Sequence, residues 1–205
     1  MAKTQSSKGG KFAKQTSSTK SSKKSSRSSA EDEDAFVPDD AVSGGDALYF
    51  KPQADDNKVR IISHPIVGWL EWVDKKPVRT QIDDEPEGED EDNKPKKFFT
   101  VVIIDRDDND RVKIWEITQQ SIIKAIKALT GNDDWGKPFA YDIVINKTGE
   151  DLKTKYAVTP CPKKQLDKSI IREAQDKPCC LDKLYDGENP WEVNDKDDAT
   201  EYFFK

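Results

Sequence analysis

Seven residues in succession, Phe98 to Ile104, are apolar or β-branched, and a run of that length and composition reads as a β-strand. Asp105 to Asp110 then turns the chain, and Val112, Ile114 and Ile117 return with Trp115 as a second strand. Thr118 is placed to cap a helix in which Ile122, Ile123, Ile126 and Leu129 share one side, ending near Gly131. Phe139 to Ile145 and Leu152 to Val158 read as a final hairpin around Lys147 to Glu150. Upstream, Ala47 to Phe50 and Val59 to Ile62 are short strands separated by Pro52 and the polar turn Asp55 to Asn57. Pro65 to Val73 continues as one long or bulged strand, with Gly68 a natural place for a bend or a close backbone approach.

Charge divides the chain around this pattern. Residues 1 to 30 hold eight Lys or Arg, no Asp or Glu, and many Ser and Thr, so this stretch cannot repay the entropy of ordering and is expected to be a mobile basic arm. Residues 83 to 92 carry eight Asp or Glu and no apolar side chain, which predicts an exposed, disordered insertion inside the domain. The expected divisions are a basic then acidic arm over 1–43, a folded domain over 44–162 with the acidic loop 83–92, and an acidic region over 163–205 with a short helix near Lys168 to Gln175.

Several function classes fail on residue types. No run of 18 apolar residues exists to span a membrane, and Met1 to Lys20 lacks the apolar segment of a secretory signal. The three cysteines include the adjacent Cys179 and Cys180, so a disulfide framework is not expected and a reducing compartment is. Those cysteines with His64, the single histidine, make neither a zinc-ligand spacing nor a nucleophile–base pair. The glycines lack a phosphate-loop context. The expectation is a protein without catalysis, cofactor or metal.

What remains is a surface. Between Lys94 and Lys164 there are 14 Lys or Arg against 10 Asp or Glu, with rings interleaved. Lys113 and Trp115 lie two apart on one strand, and so do Lys153 and Lys155, so each pair shares a face. A charge for phosphate beside a ring for a base is the pattern of a groove for single-stranded nucleic acid. The strand and helix order also fits a mainly β, OB-like barrel with one helix between strands and one extra strand, flanked by disordered charged tails.

Ala47 to Pro52, reading ALYFKP, and Lys97 to Trp115, reading KFFTVVIIDRDDNDRVKIW, resemble the two core blocks of the tailed-phage single-stranded-DNA-binding, helix-destabilising replication proteins. Ile117 to Leu129 is similar to that family's amphipathic helix. Trp135 to Pro160, reading WGKPFAYDIVINKTGEDLKTKYAVTP, is similar to the closing part of its smaller members. The resemblance spans roughly residues 44 to 160 and implies an OB-type core holding single-stranded DNA in phage replication, recombination and repair, in the cytoplasm of the infected bacterial host. It also implies self-association through the basic arm, and contacts between the acidic C-terminal region and other phage replication and recombination proteins. One departure is plain: a zinc subdomain found in one branch is replaced here by the acidic run Asp83 to Asp92.

On this reading the base platforms are drawn from Trp69, Trp72, Phe98, Trp115, Tyr141 and Tyr156. The phosphate contacts are drawn from Arg60, Lys97, Arg106, Arg111, Lys113, Lys153 and Lys155. The alternatives are a phage adaptor acting through its charged tails without nucleic acid, and an OB module that reads RNA.

Overall fold

A computed structural model of the chain describes residues 48–88, 94–195 and 198–204. The expected arm over 1–43 and the end of the acidic insertion, 89–92, lie outside them. Seven antiparallel strands form one sheet among the described residues: β1 (Asp55–Ile61), β2 (Ile66–Val73), β3 (Lys76–Gln81), β4 (Lys96–Asp105), β5 (Arg111–Ile117), β6 (Ile143–Thr148) and β7 (Lys155–Pro160). Helix α1 (Gln120–Thr130) joins β5 to β6, and helix α2 (Lys168–Gln175) follows β7.

The expected apolar run is the middle of β4, and it organises the sheet. One edge of β4 pairs along its length with β5, from Phe99 opposite Ile117 to Asp105 opposite Arg111. The other edge is shared by two strands in succession: β2 pairs with its first half, Ile66 opposite Thr100, and β1 with its second half, Ile61 opposite Ile103. Beyond these the order runs β3-β2-β4-β1-β6-β7.

This sheet does not close, so the expectation of an OB-like barrel is corrected. No pairing joins β3 to β7 or either of them to β5 among the described residues. The physical reason is visible in β4 itself. A small barrel has one interior, so its strands alternate between core and solvent. In β4, Val101 and Ile103 enter one apolar cluster and Val102 and Ile104 enter another, and all four are fully buried. A strand buried on both faces belongs to the middle of an open sheet that carries a layer on each side.

The first layer is α1, whose Ile122 and Ile126 pack with Trp115, Phe139 and Tyr141 against Val59, Ile61 and Ile143. The second comes from beyond Pro162. Leu166, Ile170, Ala174, Cys179, Leu181 and Leu184 cover Val102, Ile104, Val112 and Ile114 on the opposite face. The Phe203 N–H then donates to the Ile62 carbonyl at 2.6 Å, beside a single bridge between Tyr202 and Ser63. The acidic residues of this region, among them Asp176, Asp182, Asp186 and Glu188, are exposed while its sparse apolar residues point inward. A boundary near residue 162 therefore does not mark the end of the folded chain.

Local differences have local causes. β3 carries no strand signal because Pro77 interrupts it, and its hairpin turn uses Asp74 and Lys75, both at positive φ (48° and 63°), in place of an Asn-Gly pair. Asp55 to Asn57 begins β1 in place of the expected turn. Helix α1 starts after Gln119, whose carbonyl accepts from Ile122 and Ile123 N–H, so Thr118 is not its cap. Phe139 to Asp142 precede β6 instead of opening it, and Lys153 lies in a 3-10 turn, Asp151–Lys153, before β7. Lys153 and Lys155 therefore do not share a strand face.

Gly68 does mark a close approach. A Cβ there would lie 2.0 Å from the Thr80 carbonyl oxygen of β3 and 2.9 Å from the Phe98 ring. Gly68→Ala is expected to cost about 1–3 kcal/mol, read as a shift in the denaturant midpoint, because β3 must move to admit the methyl group. If the second layer is part of one cooperative fold, Leu181→Ala lowers global stability by about 2–5 kcal/mol, and a single unfolding transition detects it.

Candidate nucleic-acid interface

Antiparallel partners directly opposite one another share a face, so the register assigns side chains to faces without ambiguity. Thr80 of β3, Trp69 of β2 and Lys97 of β4 form one row across three strands. Two residues along, Val67 and Phe99 form the next row on the same face. The Lys97 ammonium sits 4.7 Å from the centroid of the Trp69 ring, a cation–π contact that leaves both side chains accessible.

These rows run into a half-open groove of about 320 Å³ between α1 and the sheet. Its floor is Ile61, Val101 and Phe99, its walls are Ile123 and Ile126 on one side and His64, Pro65 and Phe139 on the other. Two exposed lysines, Lys127 and Lys137, line it. The rings are set edge to face: His64 lies 5.3 Å from Phe139 with their planes at 85°. Phe203, from the C-terminal segment, stacks on Phe139 at 4.8 Å and 16° and meets His64 edge-on at 4.7 Å. Helix α1 contains Lys124 and Lys127 and no carboxylate, so the helical side of the groove carries positive charge alone.

Of the thirteen expected residues, the structure brings two together on this face, Trp69 and Lys97. Trp115, at 1% exposure, Phe98 and Tyr141 are core side chains, and the Tyr141 hydroxyl donates to the Gly136 carbonyl. None of these three rings is open to a base. Arg60 is equally buried: its Nε donates to Asp142 at 2.7 Å and its other nitrogens to the Phe139 and Lys164 carbonyls. Lys113 does share a face with Trp115, but its ammonium lies 2.9 Å from Asp105 and 2.7 Å from Asp108. Burial works against its charge, and the hydrogen bonds it donates to the two carboxylates outweigh burial and hold its pKa above the ordinary lysine value.

Arg106 pairs with Asp110 and lies 3.6 Å from Asp142, and Arg111 lies 3.6 Å from Asp108. Trp72, 44% exposed, alternates to the face opposite Trp69. Lys155 and Lys153 are exposed beside the β6–β7 turn, and Tyr156 is partly buried against the first core. Residue types alone could not find Phe99, His64, Phe139, Lys127 and Lys137, because the groove arises where a helix edge, a sheet face and the 137–139 loop meet. The one available signal was the pair of α1 lysines flanking its buried isoleucines.

Among the described residues, no group of three or more His, Cys, Asp or Glu is arranged to hold a metal ion. Burial pushes the Cys179 thiol up to about 11, so it packs as an apolar group within the second core. No helix among the described residues is long and apolar enough to cross a membrane.

No family model matches this chain, and no solved structure matches it. One curated protein does. A probable ssDNA-binding protein of Escherichia phage T5 is 37% identical over 65 residues. The aligned part covers 32% of this chain and 24% of the length of the phage protein, a distant and partial similarity.

The groove and the core make opposite demands on tryptophan. Trp115→Ala is expected to remove about 3–5 kcal/mol of stability by opening a cavity in the first core. Trp69→Ala should leave the melting midpoint within a few degrees of the parent, and differential scanning calorimetry of the two variants separates a core ring from a surface ring.

Proposed function

We propose that this chain is a nucleic-acid-binding phage protein that holds single-stranded DNA, with little sequence preference, on the face running from Trp69 and Lys97 through Phe99 into the groove at His64 and Phe139. The observation that carries this reading is the continuity of ring, ammonium and open apolar groove on one face. Every base has a π-face, so stacking on partly exposed rings tolerates sequence, while lysines along the rim take up phosphate charge. Successive same-face residues of a strand are about 6.8 Å apart, a spacing that suits consecutive bases of an extended strand. The partial similarity to a probable ssDNA-binding phage protein supports the same class. Roles in phage replication, recombination and repair, in the host cytoplasm, extend the reading.

The C-terminal segment has a place in it as well. Its exposed carboxylates, Asp198 and Glu201 among them, offer a contact for other phage replication and recombination proteins, and the basic arm offers one for neighbouring copies on DNA. Phe203 stacks on the buried Phe139 at the end of the groove, so a strand that reaches this ring has to displace the tail.

Fluorescence anisotropy against a single-stranded oligonucleotide, an equal length of duplex and an RNA tests the assignment. Single-stranded DNA is expected to bind best at about 50 mM salt, and Trp69→Ala to lose about 1–3 kcal/mol of that affinity. Lys127→Gln and Lys137→Gln should each flatten the dependence of log K on log salt by about 0.7, the value for one phosphate contact on a single strand. Duplex bound as tightly as the single strand overturns the reading, and RNA bound more tightly than DNA replaces it with the RNA alternative.

A further inference from the structure

The acidic insertion begins on the nucleic-acid face itself. Trp69 donates its indole N–H to the Ile82 carbonyl at 3.1 Å. The Thr80 hydroxyl donates to the Asp84 carbonyl at 2.8 Å, and the Asp84 N–H returns to Gln81 at 3.0 Å. Thr80 and Trp69 are partners in the same row as Lys97, so these bonds anchor the start of the insertion along the β3 edge of that row. Asp83, Asp84, Glu85 and Glu87 are all exposed there. A run of carboxylates beside a surface for a polyanion has no attractive role, and its fixed position gives it a selective one.

We infer that this anchored acidic segment, residues 83–88, is the element that makes the face accept one strand and reject two. The inference rests on the single-strand reading above and names what sets its selectivity. Adjacent strands are about 4.8 Å apart, so the β3 edge lies roughly 10 Å from Lys97 across the row. A single strand has one phosphate chain. It can follow Lys97 towards Lys127 and Lys137, on the side of Trp69 away from the carboxylates. A duplex has two phosphate chains, separated by about 12 Å across the major groove. Helix α1 walls the groove on the side away from β3, so the second chain is left to lie over the β3 edge, where it meets Asp83, Asp84, Glu85 and Glu87. The repulsion falls on the second strand because the carboxylates are held at that edge and not spread over the surface.

The test uses the full chain with two variants, one without the four carboxylates of the anchored segment and one without the anchor. In the first, Asp83→Asn, Asp84→Asn, Glu85→Gln and Glu87→Gln are combined. In the second, Thr80→Val removes the hydroxyl and keeps all the carboxylates. Anisotropy titrations with a single-stranded oligonucleotide and its duplex are run at low and at physiological salt. At low salt the fourfold variant is expected to bind duplex about tenfold more tightly while gaining about threefold or less on the single strand. Thr80→Val is expected to shift the ratio in the same direction by a smaller factor. Both effects shrink towards physiological ionic strength, where the Debye length is about 8 Å. An equal gain on both forms of DNA overturns the inference, because the carboxylates would then act as an unselective repulsion, and so does an unchanged ratio in the fourfold variant. An unmodified chain that binds neither form contradicts the single-strand reading instead, and shows it before any variant is made.

Discussion

β4 is buried on both faces, and the rest of the molecule follows from that one constraint. A strand of alternating core and solvent residues needs one apolar partner layer; Phe98 to Ile104 needs two. Helix α1 supplies one of them immediately after the β4–β5 hairpin, with local contacts. The other has to come from a distance, and the chain beyond Pro162 supplies it with few apolar residues, nearly all used: Leu166, Ile170, Ala174, Leu181 and Leu184. The same demand explains why the sheet stays open. Closing it would enclose one face of β4 and leave the isoleucine and valine side chains of the other in water.

The length of β4 also creates the candidate interface. Because β2 and β1 share one edge of it, the chain must leave β1 and enter β2 through the short segment Ile62 to Pro65. That crossing carries His64 and Pro65 to the mouth of the groove while α1 covers the face next to it. The groove is therefore a consequence of packing one helix over part of a sheet that is wider than the helix. Its apolar floor is the margin of the core at the edge of the helix, and lysines at its mouth keep their charged ends in water.

Buried charge works in the opposite sense. Asp142 stands within 3.6 Å of Lys58, Arg60 and Arg106, and Lys113 is held between Asp105 and Asp108. Such groups are costly to bury unless paired, and once paired they are committed to the fold. This divides the cations of the domain into two sets. Arg60, Arg106 and Lys113 hold strand ends and loops together, whereas Lys97, Lys127 and Lys137 are exposed.

The amino-acid sequence by itself determined the elements whose signals are local. Among these are the β4–β5 hairpin, the isoleucine face of α1, the close approach at Gly68 and the short helix at Lys168 to Gln175. Periodicity and turn chemistry act over a few residues, so they can be read there. It also marked Trp69 and Lys97 as surface candidates. Only the tertiary structure decided whether the sheet closed, which rings were core and which cations were already paired. Lys113 and Trp115 share a strand face as their spacing implies, but that face is covered, because α1 and the Phe139 to Tyr141 loop pack over it from elsewhere in the chain. Exposure depends on what arrives from distant positions, and so the groove at Phe99, His64 and Phe139 exists only once three separated segments have met.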